Sequence, residues 1–574
     1  MRFTKSFCTA LLLSSFLSFA QQAPQAAPSA QPAPATMDQV VDRMIQQEQS
    51  LVKNLGHYTP LVETYLQNLK PDPQMGMVPA ADRYFLGRLD SMSDVDQSSL
   101  LGKTSMLKKV LGGVSRSYTM QYNPVGFSWM IFADRDDFDR AHYDFRYVRR
   151  EFLGDVRCIV FDVTPKKSAG GGRFIGRVWA EDQGFNLVRL NGTYTRSGHS
   201  QYYFHFDSWR QNLQAGMWLP SFVYSEESDM HYGIKREASF KAQTRIWGYN
   251  LKQGGHNSEL TDLIVDSPDV KDQSAAAQDS TPVQSTRQWE QQAENNVLER
   301  LQRAGLLAPQ GDLDKVLETV VNNLMVTNNI ELPEPVRCRV LLTTPLESFH
   351  VGHTIVVSRG FIDTLPDEAS LAMVLSHELG HIVLGHQVDS KFAFNDRMLF
   401  SDESTYQKLG FMHTAAEEKA ADDKAVAMLK NSPYKDKLSG AGLYLKALGS
   451  RSQELSSLLH PHLGNPIADQ KAVLRMGELM NSAPELKMAD VSQIPALPLG
   501  GRVKVDPWTD RAELIKAPAV PIASAREKMI FEVTPMFPHL NREMSEGSVA
   551  QNQPAPAAQT AEPASDSQRP KPQY

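Results

Sequence analysis

The sequence predicts a multidomain α+β protein, in which an N-terminal antiparallel β domain is followed by a mainly helical domain with a small β-sheet. Short aromatic and β-branched runs such as "VRCIVFDVTP" recur between residues 74 and 252 and are separated by turn residues, a pattern typical of antiparallel strands. From residue 288 onward, apolar residues recur mostly at helical spacing. The 574 residues are enough for several domains of ordinary size.

Both ends of the chain and one internal segment are predicted to lie outside the folded domains. Residues 1–20 combine basic residues, an apolar core and a small-x-small site, which predicts a cleaved secretory signal peptide; an uncleaved anchor is the alternative. Residues 21–36 and 546–574 are rich in Pro, Ala and Gln, which predicts a disordered linker and a disordered tail. Residues 253–287 are polar and predict an interdomain linker.

The overall composition excludes some classes of protein and leaves others open. The apolar fraction is 41% and the charged fraction 22%, as in an ordinary soluble protein. A formal net charge of -7 gives no argument for nucleic-acid binding. No long apolar run follows the signal peptide, so we expect no transmembrane segment in the mature chain. Cys158 and Cys338 remain after cleavage and are expected to be two free buried thiols or one disulfide.

Periodicity assigns the remaining segments. Residues 37–73 are predicted to be a helical segment, because "MDQVVDRMIQQEQSLVKNL" has apolar positions at helical spacing. Residues 74–252 form the predicted β domain, with about eight strands. Its stretch 150–250 resembles the curved half-barrel of the lipoprotein-carrier (LolA/LolB-like) folds, and its aromatic residues either line a lipid or peptide groove or form core pairs. Residues 483–545 form a C-terminal extension with short strand-like runs and no assigned role.

The stretch "LSHELGHIVLGH" places titratable side chains inside an apolar run that is predicted to be a helix over residues 366–388. His377 and His381 are four residues apart, so a helix puts both imidazoles on one face, within reach of one metal ion. Glu378 follows the first histidine and can act as a general base. The H-E-x-x-H pattern therefore predicts a metal site. The alternative is a helix in which the two histidines are core residues with satisfied hydrogen bonds.

Two histidines leave a zinc ion short of ligands. A third histidine six residues after His381 would be typical of one class of zinc protease, but His386 comes five residues after it. The predicted helix "AAEEKAADDKAVAML" offers Glu418 as the third ligand, with Glu417 as the fallback. Asp422 lies one turn later and can hold the outer nitrogen of His377. The alternative is an acidic surface helix.

"TIVVSRGFIDTLPDEASLAMVLSHELGHIVLGH", followed by "EEKAAD", resembles the CAAX prenyl protease / HtpX-type metallopeptidase family over roughly residues 310–480. The resemblance implies a zinc metallopeptidase domain over residues 288–482, with one zinc ion per chain and the ligand and base assignments given above. Members with a signal peptide and no membrane spans resemble periplasmic quality-control proteases and outer-membrane assembly factors. The resemblance therefore implies a periplasmic endopeptidase whose partners are polypeptide substrates, above all unfolded envelope proteins.

The chain departs from the family pattern at two places. The family usually has Asn-Ala-Phe on the strand before the helix, where this chain has "ESFH" (residues 347–350). The family also has His-Pro followed by an arginine five residues after the proline. Here His460-Pro461 lacks that arginine, whereas Asn465-Pro466 has Lys471 at the arginine position. His460, His462 and Asn465 are the candidates for the group on the oxyanion side of the site; the alternative is a solvent-exposed loop.

Further expectations concern the substrate, the regulation and the alternative functions. An extended substrate is expected to pair with the strand 349–357. The loop 387–413 holds Phe392, Phe394, Phe400 and Phe411 and is either a lid over the site or a loop that packs its own aromatic residues. The alternative function is a chaperone-like or lipoprotein-binding assembly factor in which the metal site is latent or vestigial. A zinc amidase acting on cell-wall peptide is a third possibility without a supporting motif.

Overall fold

The computed structural model of the chain describes residues 34, 36–73, 76–90, 94–96, 124–195, 204–231, 237–249, 282–388, 402–487, 503–506, 511–514, 531, 533 and 538–543. The predicted signal peptide and the predicted tail lie outside the described residues, as does most of both predicted linkers. No helix in these ranges is long and apolar enough to cross a membrane.

Ten strands of the described chain form one antiparallel sheet, in the order β3-β2-β1-β10-β9-β8-β7-β6-β5-β4. The sequence predicted about eight strands here. The strands are β1 (Leu61–Asp72), β2 (Gly76–Asp90), β3 (Asp94–Asp96), β4 (Tyr143–Leu153), β5 (Val156–Pro165), β6 (Phe174–Glu181), β7 (Leu187–Tyr194), β8 (His205–Gln214), β9 (Met217–His231) and β10 (Glu237–Trp247).

Both faces of this sheet are covered over much of its area, although β4 at one edge is largely exposed. On one face lie the helices α1 (Met37–Leu55) and α2 (Pro124–Trp129), packed over aromatic and aliphatic residues of the sheet. The N-cap of α1 is Thr36, whose side chain forms a capping box with Gln39. A buried ion pair between Glu48 of α1 and Arg210 of β8 joins the helix to the sheet at 2.6 Å. The opposite face packs against the second half of the chain.

The prediction that residues 37–73 are helical is wrong beyond Leu55. The helix ends there, and Leu61–Asp72 is strand β1. β1 lies inside the sheet between β2 and β10, and every residue from 61 to 67 is buried. A strand that is buried on both faces loses the alternation of apolar and polar residues, so its apolar positions fell at spacings that also suit a helix.

The second half of the described chain is mainly helical and carries a three-stranded sheet in the order β11-β13-β12. Its helices are α3 (Pro282–Arg303), α4 (Asp312–Thr327), α5 (Arg359–Thr364), α6 (Glu368–Leu384), α7 (Asp402–Tyr406), α8 (Ala415–Lys430), α9 (Leu438–Gly449), α10 (Ser456–Leu459) and α11 (Gly477–Ser482). Its strands are β11 (Arg337–Leu341), β12 (Ser348–Val351) and β13 (Thr354–Ser358).

Two boundaries differ from the sequence prediction. Helix α3 begins at Pro282, inside the predicted linker 253–287, because proline is well tolerated in the first turn of a helix. The predicted single strand 349–357 is a hairpin of β12 and β13, in which Gly352 has φ 55°. β13 is central, and β12 and β11 are the two edge strands.

Buried polar groups join the large sheet to the helical half. Glu63 on β1 accepts hydrogen bonds from the backbone N–H of Thr344 at 2.7 Å and from its hydroxyl at 2.9 Å. Glu63 also pairs with Arg245 on β10, whose guanidinium donates to the carbonyl of Leu342 at 2.8 Å. Asp82 on β2 accepts from the backbone N–H groups of Ser457 and Leu458 at 2.7 and 2.8 Å, at the start of α10.

Residues near the C-terminus return to the same sheet. Strands β14 (Val503–Asp506) and β15 (Arg511–Leu514) form a separate hairpin. The described residues between 531 and 543, called here the C-terminal segment, contact the sheet face that is turned toward the helical half, and three of them are buried. Cys158 and Cys338 are free and buried.

Candidate metal centre

Helix α6 places the H-E-x-x-H side chains. Asp367 caps its N-terminus and accepts a hydrogen bond from the backbone N–H of Ser370 at 2.8 Å. The helix ends at Gly385, which adopts the left-handed conformation favoured by glycine at φ 70°. The helix is buried along most of its length, so His377, Glu378 and His381 point into the interior with exposed fractions of 0–2%.

Helix α8 brings the predicted third ligand. Thr414 and Glu417 form its capping box. Glu417 is thus engaged at the N-terminus of α8, and Glu418 faces α6. The two helices approach closely at Gly380, where a Cβ would lie 2.8 Å from the carbonyl oxygen of Ala421. The glycine of the H-E-L-G-H stretch therefore lets α8 come near enough for Glu418 to reach the histidines.

Ligand atoms of three side chains converge. His377 Nε2 lies 3.2 Å from His381 Nε2 and 3.4 Å from Glu418 Oε2, and His381 Nε2 lies 3.4 Å from Glu418 Oε1. Around a tetrahedral zinc ion with bonds of about 2.0–2.1 Å, neighbouring ligand atoms are about 3.3–3.4 Å apart. Glu418 Oε1 is buried and receives no hydrogen bond from the described residues. The three side chains fit one metal ion, and no other group in the described ranges does.

The outer nitrogens of both histidines are engaged. Asp422 Oδ1 lies 2.8 Å from His377 Nδ1, and Asp422 Oδ2 accepts from the backbone N–H of Met476 at 2.7 Å. His386 Nδ1 lies 2.9 Å from His381 Nδ1. A proton on each Nδ1 leaves the Nε2 lone pairs directed at the common point, which is the tautomer that a metal requires.

Burial and charge set the protonation of the three side chains. Burial lowers the pKa of His381, which favours the neutral imidazole that binds metal. Burial and Arg475 oppose protonation of His377, but its hydrogen bonds to Asp422 and Glu418 raise its pKa. Burial alone would raise the pKa of Glu418, yet the two histidines and Arg475 hold it well below its usual range.

Glu378 is held on one side by two donors. The hydroxyl of Ser348 donates to Glu378 Oε1 at 2.7 Å, and Arg475 Nη1 donates to the same oxygen at 3.2 Å. His350 Nδ1 lies 3.7 Å from Oε2. Burial alone would raise the pKa of Glu378, but His350, Arg475 and the histidines of the motif hold it well below its usual range. Glu378 is therefore an ionised carboxylate in this arrangement.

The side chains of the candidates for the oxyanion side contact groups other than the three proposed ligands and Glu378. His460 is exposed, and its Nδ1 faces the carbonyl of Ser456. Asn465 instead brackets the backbone of His413, accepting from its N–H at 2.7 Å and donating to its carbonyl at 3.1 Å. The ring of His462 stacks on Tyr406 at a centroid distance of 4.6 Å.

An arginine does reach the site, but it is Arg475 and not the residue at the Lys471 position. Ala468 and Val473 form a β-bridge, and Asp469 accepts from the backbone N–H of Lys471 and of Ala472 in the intervening turn. This turn leaves Lys471 exposed and returns the chain to the site. Arg475 then donates to the carbonyl of Asn465 at 2.7 Å and lies 3.1 Å from Glu418 Oε2.

A stack of histidine rings beside the site was also missed. His413 lies 4.0 Å from His381 and 5.0 Å from His350, measured between ring centroids. Burial and these two neighbours lower the pKa of His413 to about 4. The rings come from three distant parts of the chain, so no sequence spacing could indicate the stack.

The loop 387–413 is described only at its ends. Phe392, Phe394 and Phe400 lie outside the described residues. Phe411 is buried and stacks on Phe349 of β12 at 4.7 Å between ring centroids. This end of the loop packs its aromatic residue into the core, and a lid function for the rest stays a prediction.

Comparison with known proteins bears on the class of this site. Residues 311–455 match the model of Peptidase family M48. This M48 region contains the H-E-x-x-H stretch, Glu418 and Asp422, and it ends before Arg475. The match supports metal-dependent protease activity for the centre that α6 and α8 form. Among curated proteins, none matches the chain.

Proposed function

We propose that this protein is a zinc-dependent endopeptidase of the bacterial periplasm, of the CAAX prenyl protease / HtpX type, that cleaves unfolded or misassembled envelope proteins. The convergence of His377, His381 and Glu418 beside Glu378 carries the proposal. The M48 match supports a metallopeptidase. The location and the substrate class rest on the signal-peptide pattern and on the family resemblance.

Zinc is the metal we propose, because two imidazoles and one carboxylate at tetrahedral spacing are its usual ligands in catalytic sites. When bound, such an ion supplies a Lewis acid that polarises a carbonyl and makes water acidic enough to react near neutral pH. The remaining roles belong to side chains of the chain itself.

Glu378 is the proposed proton carrier. Its carboxylate takes the proton from the attacking water and passes it to the leaving amine. Ser348 and Arg475 hold Oε1, which leaves Oε2 for proton transfer. Arg475 also takes the place that the sequence analysis gave to the oxyanion-side candidates, because its guanidinium lies between Glu378 and Glu418 and can donate to an oxyanion formed there.

Substrate is proposed to add to the edge strand β12, but this edge is partly covered. A Cβ at Gly464 would lie 2.4 Å from the carbonyl oxygen of Ser348, so residues around Gly464 must move before a substrate strand can pair there. Val351 lies on this edge strand, and its replacement by proline tests whether the substrate pairs with β12. Thr354 lies on the central strand β13, where proline would break the sheet itself.

The alternative function is a chaperone-like or lipoprotein-binding assembly factor with a latent metal site. The burial of the site favours it, since His377 and His381 have exposed fractions of 2% and 0%. The same burial also fits a protease that opens for its substrate. The ionised Glu378 beside the ligands favours the protease, because a metal site without catalytic work needs no base.

The test measures hydrolysis of an unfolded protein such as casein by the purified mature chain. Glu378→Gln and a chelator-treated sample are run beside it, and bound metal is counted in each. We expect activity only in the untreated wild type and normal metal content in Glu378→Gln. Bound metal without activity in any sample would overturn the protease and favour the assembly factor.

A further inference from the structure

The C-terminal segment is held on the large sheet through its backbone. The side-chain amide of Gln67, on β1, donates to the carbonyl of Phe531 at 2.6 Å and accepts from the backbone N–H of Val533 at 2.7 Å. These are the carbonyl of one residue and the N–H of the second residue after it. A single glutamine side chain thus binds the segment as a neighbouring strand would, without regard to its sequence.

Two further backbone contacts lie elsewhere on the sheet. The backbone N–H of Asp155, in the turn between β4 and β5, donates to the carbonyl of Leu540 at 2.8 Å. Asn212 on β8 accepts from the backbone N–H of Glu543 at 2.7 Å. At Gly154, which has φ 63°, a Cβ would lie 2.5 Å from the backbone nitrogen of Leu540. The turn is therefore shaped to admit another backbone at contact distance.

Side chains add selectivity to these backbone contacts. The ring of Phe531 packs on Tyr444 of α9 at 5.8 Å between centroids. Leu540 has an exposed fraction of 2%. Arg542 pairs with the carboxylates of Glu181 at 2.6 Å and Asp182 at 3.0 Å.

The spacing of the anchors suits an extended polypeptide. Gln67 on β1 and the turn at Asp155 next to β5 are six strands apart in the sheet order, which is about 29 Å at about 4.8 Å per strand. Phe531 and Leu540 are nine residues apart, and an extended chain of that length reaches about 30 Å.

We propose that this face of the sheet is a binding groove for extended polypeptide, and that the C-terminal segment is its intramolecular occupant. The partner is a segment of another polypeptide that offers an aromatic residue at one end and, at the other, a leucine followed two residues later by a basic residue. Such a segment replaces the C-terminal segment at Gln67, Asp155 and the Glu181–Asp182 pair. This binding does not depend on hydrolysis at the metal centre.

The first experiment is hydrogen–deuterium exchange on the unaltered mature chain, with chelator present to suppress hydrolysis. A displaceable occupant opens without unfolding the sheet. We expect the amides of Val533 and Glu543 to exchange at least tenfold faster than those of β7. Exchange of both regions at one common rate would mean that the segment is a permanent part of the fold and would overturn the proposal.

The second experiment uses a fluorescent synthetic peptide with the sequence of residues 529–545. Its receptor is the full mature chain carrying Phe531→Ala and Arg542→Glu, which weakens the internal occupant. We expect this chain to bind the peptide at least tenfold more tightly than the wild-type chain does.

The controls are placed in the peptide, so that they cannot affect folding of the receptor. Peptides with Phe531→Ala or with Arg542→Glu should bind at least tenfold more weakly than the unaltered peptide, and a scrambled peptide should not bind. Equal binding of all peptides, or no binding to a folded receptor, would overturn the groove. If the altered receptor does not fold, the exchange rates of the unaltered chain decide the question alone.

Discussion

The hydroxyl of Ser348 donates to Glu378 Oε1 at 2.7 Å and accepts from Arg475 Nη1 at 2.9 Å. Ser348 lies on β12 and Glu378 on α6, so this contact ties the proposed base to the edge strand. A hydrogen bond to a charged group contributes about 1.5–3 kcal/mol. The contact therefore fixes which carboxylate oxygen is free for proton transfer.

Ser348→Ala should lower kcat about tenfold or more with normal metal content, because Glu378 loses the donor that orients it. Steady-state hydrolysis of an unfolded protein, together with metal analysis, measures this. The matched control is Ser376→Ala, since Ser376 is also buried but donates to the carbonyl of Met373. An equal loss of kcat in both variants would mean that the effect comes from general destabilisation.

Glu418→Gln and Glu417→Gln distinguish a metal ligand from a helix cap. Glu418 should be needed for metal, and its loss should weaken zinc affinity by more than the roughly 10–100-fold typical of outer partners. Glu417 accepts hydrogen bonds from the backbone N–H and hydroxyl of Thr414 at 2.9 Å, and glutamine can keep one acceptor there. Competition with a chromophoric chelator gives both affinities. Comparable weakening in the two variants would contradict the assignment of Glu418.

Asp422→Asn should weaken zinc affinity about 10–100-fold, because the amide cannot accept from both His377 and Met476 as the carboxylate does. Asp423→Asn serves as the control, since Asp423 is exposed and pairs only with Lys419 among the described residues. The same chelator competition applies. Unchanged affinity in Asp422→Asn would show that His377 needs no partner to keep its tautomer.

Glu347 should make the free energy of unfolding depend on pH. Burial raises its pKa from 4.5 to about 7, so the folded chain holds this proton more tightly than the unfolded chain. The stability that it contributes is fully present below about pH 4.5 and is lost as pH rises through about 7, a change of about 3 kcal/mol.

Urea unfolding at pH 5 and pH 8 measures this difference. Glu347→Gln keeps an acceptor for the backbone N–H of His462, which donates to Glu347 at 2.7 Å, but it cannot titrate. The variant should therefore lose that part of the pH dependence. An identical pH dependence in wild type and variant would contradict the raised pKa.

The sequence predicted the parts of the site that lie within single helices. The spacing of His377, Glu378 and His381 already implies one face of one helix, and the acidic helix offered few other carboxylates near the motif. Local patterns were therefore enough to predict the H-E-x-x-H residues, Glu418 and Asp422. The architecture of a large antiparallel sheet before a helical half was predicted for the same reason, from patterns of 8–20 residues.

The parts that the sequence did not predict depend on contacts between distant segments. Arg475 was missed because a short turn after Pro466 brings it to the site from a position outside the expected spacing. The helix prediction fails at strand β1 because burial of both its faces removes the two-residue alternation. Ser348 has an ordinary sequence context, and only the packing of β12 beside α6 gives its hydroxyl a role.

Glu63 accepts hydrogen bonds from Thr344, and Asp82 accepts hydrogen bonds at the start of α10. These bonds have a consequence for the cooperativity of unfolding. The M48 region begins after the large sheet in the chain, yet the sheet supplies buried carboxylates to it. Separating the M48 region from the large sheet would leave those charges and several aromatic residues without their partners. The free-energy cost would be comparable to the whole stability of a domain. We therefore expect one calorimetric transition for both halves, and neither half can be exchanged between proteins as an independent module.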